Sequence, residues 1–165
     1  MRKLINRRKP EKSGRALYGM GNPEHLINKI VVEGFVLCHS LFNDKHILVV
    51  DDDMRNAFAL SRLLGDRQLR VTVARSGAKA IETLDKVADI DLVLMDIMMP
   101  DMDGYETMQK IRAQSKFKNL PILALTAKTM KGDQEKCIAA GANDFLSKPV
   151  DADRLFSMLR VWLYR

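Results

Sequence analysis

From Lys45 onward, short apolar runs alternate with amphipathic stretches of helical length. "HILVV" (His46 to Val50) is continuously apolar, the pattern of a parallel strand covered on both faces. "MRNAFALSRLLG" follows with Ala57, Leu60 and Leu64 at helical spacing, and Gly65 is its stop signal. "LRVTVA" predicts a second strand and "GAKAIETLDKV" a second helix; "DLVLM" a third strand and "GYETMQKIRAQ" a third helix. "LPILALT" predicts a fourth strand, with Pro121 near its start where a missing N–H is tolerated. "GDQEKCIAAG" is a short fourth helix closed by Gly141. "DFLS" is a brief fifth strand, and "DADRLFSMLRVWLY" a last helix with Asp151 placed as its N-cap.

Five βα units in succession imply an α/β domain. Its sheet is parallel, its crossovers are right-handed and its helices cover both faces. That reading accounts for residues 45–165 as one domain and leaves residues 1–44 as a basic N-terminal extension of unassigned function. Within the extension, "NPEHLINKIVVEGFVLCHSLFND" has helical length from about Pro23, but its β-branched residues and Gly34 oppose a helix. A linker, a partner-docking helix and a piece of a longer chain are all compatible with it. No internal repeat or low-complexity tract interrupts the pattern.

Composition sharpens this picture in three respects. The chain of 165 residues is 47% hydrophobic and 29% charged, the balance of a folding globular protein. Its formal charge of +6 is uneven: residues 1–44 hold 8 Lys and Arg against 4 Asp and Glu, a net of +4, leaving +2 for the remainder. Such a tail can meet nucleic acid or anionic lipid, although a short basic tail is commonly just solvated. Cys38 and Cys137 have neither metal spacing nor the numbers of a disulfide framework, so two free thiols in a reducing cytosol are expected. The basic start runs into Pro10, Glu11 and Lys12 instead of a signal-peptide core, and "INKIVVEGFVLCHSLF" is broken by Lys29, Glu33, Gly34 and His39. A soluble, cytoplasmic protein with no membrane span is the expectation.

In an open α/β sheet the chemistry gathers at the carboxyl ends of the strands. Strand one ends in Asp51, Asp52 and Asp53, strand three in Asp96, strand four in Thr126 and Ala127, and strand five in Lys148 and Pro149. Singly, Asp52 or Asp53 reads as a helix cap, Thr126 as a hydroxyl bonded to nearby backbone, and Lys148 as a solvated loop residue. Together they are different. Converging carboxylates raise one another's pKa unless a cation compensates. Oxygen ligands without His or Cys favour a hard ion, Mg²⁺ before Zn²⁺.

The ordered set "ILVVDDD", "LVLMDIMMPDMDG", "PILALTA" and "FLSKP" resembles the receiver domain of two-component response regulators over essentially all of residues 45–165. "DDDMRNAFAL" and "MDIMMPDMDG" are most similar to receivers of hybrid histidine kinases. The resemblance implies a flavodoxin-like, doubly wound five-stranded sheet of order 2-1-3-4-5. It makes Asp96 the phosphoacceptor that attacks a phosphohistidine donor, a histidine kinase or a histidine phosphotransfer protein. Asp52, assisted by Asp51, holds Mg²⁺ with the Asp96 carboxylate and the Met98 backbone carbonyl. Lys148, Thr126 and the Ala127 N–H serve the phosphoryl oxygens. Pro100 and Gly104 shape the loop after the acceptor, a cis peptide precedes Pro149, and Phe145 is the aromatic switch partner of Thr126. Asp53 is left as a cap or outer residue. Met98 and Lys128 occupy positions that tune phosphoryl lifetime; because a thioether is a poor partner for an attacking water, slow self-hydrolysis is expected. Packing is the plainer role for Met98 and Met99, and an ordinary core aromatic the plainer one for Phe145.

Two other functions compete. A Mg²⁺-dependent phosphohydrolase with an aspartyl nucleophile, of haloacid-dehalogenase type, wants a second Asp two residues after the first, where Met98 stands here. A receiver-like scaffold that ignores phosphorylation is usually signalled by loss of the acidic pair, acceptor or lysine, all of which are present. His25, His39 and His46 lie in no phosphotransfer motif, and no DNA-binding or other effector domain is expected in the chain. A stand-alone receiver and a separated C-terminal receiver of a hybrid kinase both remain open.

Overall fold

The central apolar runs become strands because each has two helical faces to be buried against. The computed structural model describes residues 42–127 and 131–164. Its elements alternate in chain order: β1 (His46–Val50), α1 (Met54–Gly65), β2 (Arg70–Ala74), α2 (Gly77–Lys86), β3 (Leu92–Asp96), α3 (Gly104–Ala113), β4 (Ile122–Thr126), α4 (Lys131–Ala139), β5 (Asp144–Ser147) and α5 (Ala152–Leu163). The strands form one parallel sheet in the order β2-β1-β3-β4-β5, as the alternation and the resemblance imply.

Every residue of β1, β3 and β4 is buried. Period-two alternation divides their side chains between two cores. Ile47, Val49, Leu92, Leu94, Leu123 and Leu125 pack against Ala57, Leu60 and Leu64 of α1 and Leu155, Phe156 and Leu159 of α5. Leu48, Val50, Val93, Met95, Ile122 and Ala124 pack against Ala80 and Leu84 of α2, Met108 and Ile111 of α3, and Cys137 and Ala140 at α4. At about 2 kcal/mol for each fully buried aliphatic side chain, these two layers supply most of the driving force. Phe42 joins the first core, its ring 5.8 Å from that of Phe156.

Four helices begin on acceptor side chains that satisfy otherwise orphaned N–H groups. Asp53 accepts from Arg55 N–H, Ser76 from Lys79, Asp103 from Glu106 and Asp151 from Arg154. Asp53 therefore has the capping role left open for it.

Element ends differ slightly from the periodicity. β2 starts at Arg70 and β4 at Ile122, one residue after Pro121. β3 runs on to include Asp96, whose backbone is paired with Leu125. Gly65 is the last residue of α1, and the left-handed conformation beyond it falls on Gln68 (φ 65°). Gly141 does take the left-handed region (φ +108°) after α4. A 3-10 turn at Ser115–Phe117 had no counterpart in the pattern. The helix considered from about Pro23 falls outside the described residues except for Phe42, Asn43 and Asp44, which form a turn, and His25, Cys38, His39 and Lys128 also lie outside them. Among the described residues no helix is long and apolar enough to cross a membrane.

Candidate active site

Parallel register assembles the site. Val50 is paired with Met95, so Asp51, one residue past the end of β1, lies beside Asp96, the last residue of β3. Asp96 is paired with Leu125, which puts Thr126 one step above it; Thr126 is paired with Ser147, and Lys148 follows. Residues spread from 51 to 148 thus meet at one sheet edge because each stands at, or one place beyond, the carboxyl end of its strand.

One carboxylate oxygen from each of Asp51, Asp52 and Asp96 lies within 4.8 Å of the others. Asp51 and Asp96 are buried and Asp52 is half-buried. The cation that offsets their repulsion in this structure is Lys148. Its Nζ donates to Asp51 Oδ2 at 2.8 Å and lies 2.9 Å from Asp96 Oδ2. The remaining oxygens are also engaged: Asp51 Oδ1 accepts from Asp53 N–H at 2.9 Å and Asp96 Oδ1 from Met98 N–H at 3.2 Å. Burial pushes the Asp96 carboxyl above the usual carboxylate range, more than the Lys148 hydrogen bond pulls it down. For Lys148, burial depresses the ammonium, but its bonds to Asp51 and Asp96 outweigh that and raise it overall.

The acceptor loop is held from several sides. Ile97 N–H donates to Leu125 O at 3.1 Å, Met102 N–H to Pro100 O at 2.8 Å, and Gly104 N–H to Ile97 O at 3.0 Å. A Cβ on Gly104 would overlap the Asp96 carbonyl oxygen and come within 2.7 Å of Ile97 Cα, so α3 can begin here only on glycine. Beside this loop a cavity of about 410 Å³ is lined by Ile97, Met98, Met99, Asp103 and Tyr105.

Each expected site residue among those described is at this edge or next to it. Thr126 is buried at the end of β4 and Ala127 is exposed after it. The Lys148–Pro149 peptide is cis. Phe145 is half-buried and packs against the core that faces α2, α3 and α4.

Such a set of hard oxygen donors, one tethered ammonium and a buried carboxylate at a strand end is suited to holding a divalent cation and a phosphoryl group. Residues 47–160 match the response regulator receiver domain family. The chain belongs to that family. Among its relatives is the two-component response regulator ORR11 of Oryza sativa subsp. indica, 35% identical over 115 residues that cover 68% of this chain and 78% of that protein. The receiver domain of the sensor histidine kinase PA1611 from Pseudomonas aeruginosa, solved with a magnesium ion coordinated in its active-site cleft, is 36% identical. It covers 73% of this chain and 98% of that one, with a TM-score of 0.68. A co-crystal structure of the Saccharomyces cerevisiae histidine phosphotransfer protein Ypd1 with the receiver domain of its downstream response regulator Ssk1 matches at 27% identity. Coverage there is 73% of this chain and 90% of that one, again with a TM-score of 0.68.

Three features of this receiver escaped the reading of its sequence. Asp51 was expected to assist a metal, and its direct pairing with Lys148 depends on a side chain from the far end of the chain. Arg55 forms a two-point ion pair with Asp53 through Nε at 3.1 Å and Nη2 at 2.7 Å, holding the Asp53 carboxyl down at about 2. Arg112 donates to four neutral oxygens at the opposite sheet edge: Gly141 O at 2.9 Å, Phe117 O and Leu120 O at 2.7 Å, and Asn143 Oδ1 at 2.8 Å. Only the Arg55 pair had a local signal, the spacing of Asp and Arg across a helix start.

Proposed function

We propose that the protein is a phosphoacceptor of a two-component phosphorelay, with Asp96 receiving the phosphoryl group from a phosphohistidine of a histidine kinase or phosphotransfer protein. The carrying observation is the clustering of Asp51, Asp52 and Asp96 with Lys148 bridging two of them. One Asp96 carboxylate oxygen attacks phosphorus. The bond from phosphorus to the imidazole nitrogen breaks, its electron pair stays with the departing imidazole, and an aspartyl phosphate results. The protein undergoes this step once per phosphorylation event and is a regulator in place of a turnover enzyme.

The three carboxylates fit a hard divalent cation, since each offers oxygen and none of the group is His or Cys. Asp52, Asp51, Asp96 and the Met98 carbonyl would hold Mg²⁺, which when bound neutralises carboxylate repulsion and charge on the phosphoryl oxygens. Lys148 exchanges one carboxylate partner for a phosphoryl oxygen, while the Thr126 hydroxyl and the Ala127 N–H donate to the others. Thr126 drawn toward the phosphoryl group leaves room for Phe145 to pack inward behind it, changing the face built by α4, β5 and α5. We assign residues 45–165 to this receiver, with Phe42 just ahead of them packed into its core, the rest of residues 1–44 to an extension, and the whole to the cytoplasm.

Labelling with acetyl phosphate, with and without Mg²⁺, tests the reading on the parent and on Asp96→Asn. A base-labile, Mg²⁺-dependent adduct in the parent and none in the variant is expected. A folded parent that binds Mg²⁺ and takes no label would overturn it and favour a scaffold that binds partners without phosphorylation.

A further inference from the structure

Met98 combines a fixed backbone with an open side chain. Its N–H is tied to Asp96 Oδ1 at 3.2 Å, and the neighbouring Met99 is buried at 7% exposure. Yet Met98 is 60% exposed, beside the cavity of about 410 Å³ that flanks the acceptor loop. Met95 and Met108 are fully buried. Among the described methionines only Met54, at 49%, is comparably open.

We propose that Met98 is an oxidation site through which peroxide shortens the lifetime of the phosphoryl group, an inference that rests on Asp96 being the phosphoacceptor. The chemistry is a two-electron oxygen transfer: the Met98 sulfur attacks one peroxide oxygen, the O–O bond breaks, and the products are the sulfoxide and water. A methionine sulfoxide reductase reverses it. Oxidation replaces a weak thioether acceptor with a strong S–O acceptor. That oxygen, two residues from the phosphorylated carboxylate and in a cavity with room for solvent, accepts a hydrogen bond from a water and turns its lone pair toward phosphorus. Self-hydrolysis, slow with the thioether, then becomes fast. Burial protects Met95, Met99 and Met108 from the same reagent, so the response is local and not a loss of core packing.

The parent, Met98→Leu and Met54→Leu proteins are treated with hydrogen peroxide, mapped by peptide mass spectrometry, labelled with acetyl phosphate and Mg²⁺, and followed for loss of label. Peptide mapping should place early oxygen addition on Met98, before Met95, Met99 and Met108. Peroxide should shorten the phosphoryl half-life of the parent and of Met54→Leu roughly tenfold, less than the 10²–10⁴-fold of a full general base because a sulfoxide oxygen orients a water without taking its proton. Met98→Leu should be unaffected. Equal shortening in Met98→Leu, or labelled parent whose half-life does not change when Met98 is fully oxidised, would overturn the proposal and leave the phosphoacceptor reading standing. An untreated, folded parent that takes no label overturns both.

Discussion

Lys148 Nζ lies 2.9 Å from Asp96 Oδ2, and even so the Asp96 carboxyl is raised above its ordinary range by burial. A group with a raised folded-state pKa contributes stability that is fully present below its unfolded value and lost as pH rises through the folded value. At neutral pH without divalent metal, the ionised Asp96 is therefore a net cost to the fold. Asp96→Asn should raise the melting temperature at pH 7, and the gain should fade as pH drops below about 3.8, the ordinary carboxyl value. Thermal denaturation across pH in a chelating buffer checks this. A gain independent of pH would sink it.

Gly104 begins α3 directly against the acceptor loop. Alanine there would drive its methyl into the Asp96 carbonyl and Ile97 Cα, both backbone atoms that cannot rotate away. Gly104→Ala should destabilise by about 1–3 kcal/mol, the usual cost of overpacking. It should also slow acetyl-phosphate labelling by moving the acceptor. Denaturant titration with labelling kinetics on the same sample separates the two effects.

Arg112 should be irreplaceable by lysine although the charge is kept. Its guanidinium reaches Gly141, Phe117, Leu120 and Asn143 at once, whereas an ammonium lacks the planar fork. Asn143 Oδ1 also accepts from Ile122 N–H at 2.8 Å, so the clamp ties the α4–β5 connection to the start of β4. Arg112→Lys should cost about 2–4 kcal/mol through half-buried carbonyls left short of donors. Urea unfolding measures it, and loss of less than the error of the method would refute the clamp.

Tyr105 ionises late. Burial, with the neighbouring Cys137 and Asp133, pushes its phenol up to about 12. Because the folded value is raised, the contribution of Tyr105 to stability is intact below pH 10 and is lost as pH climbs through about 12. Tyrosinate absorbance after a rapid jump to alkaline pH should show a component near pH 12 that Tyr105→Phe removes. Removal of a component near pH 10 instead would contradict the assignment.

Legibility in the sequence followed the range of the forces involved. The runs "HILVV", "LVLM" and "ILAL" declared themselves because burial on both faces demands uninterrupted apolar residues. Asp53 and Asp151 act on amides two or three residues away and were legible as caps, whereas Ser76 and Asp103, which act over the same short range, were not singled out. The end of β3 was less legible, since Asp96 belongs to the ladder only through its pairing with Leu125 on another strand. Phe42 also joins the core beyond the start of the βα alternation, because a ring can be buried by Phe156 at the other end of the chain.

By itself the sequence determined the alternation of strands and helices, and hence which residues stand at strand ends, since hydrophobic period and capping are local properties. Tertiary structure alone decided that Lys148 bridges Asp51 and Asp96, that Gly104 abuts the Asp96 carbonyl, and that Arg112 gathers four oxygens. Each is a contact of a few ångströms, and several join residues far apart in the chain. Parallel register and helix packing set their geometry, and neither is encoded at any one position.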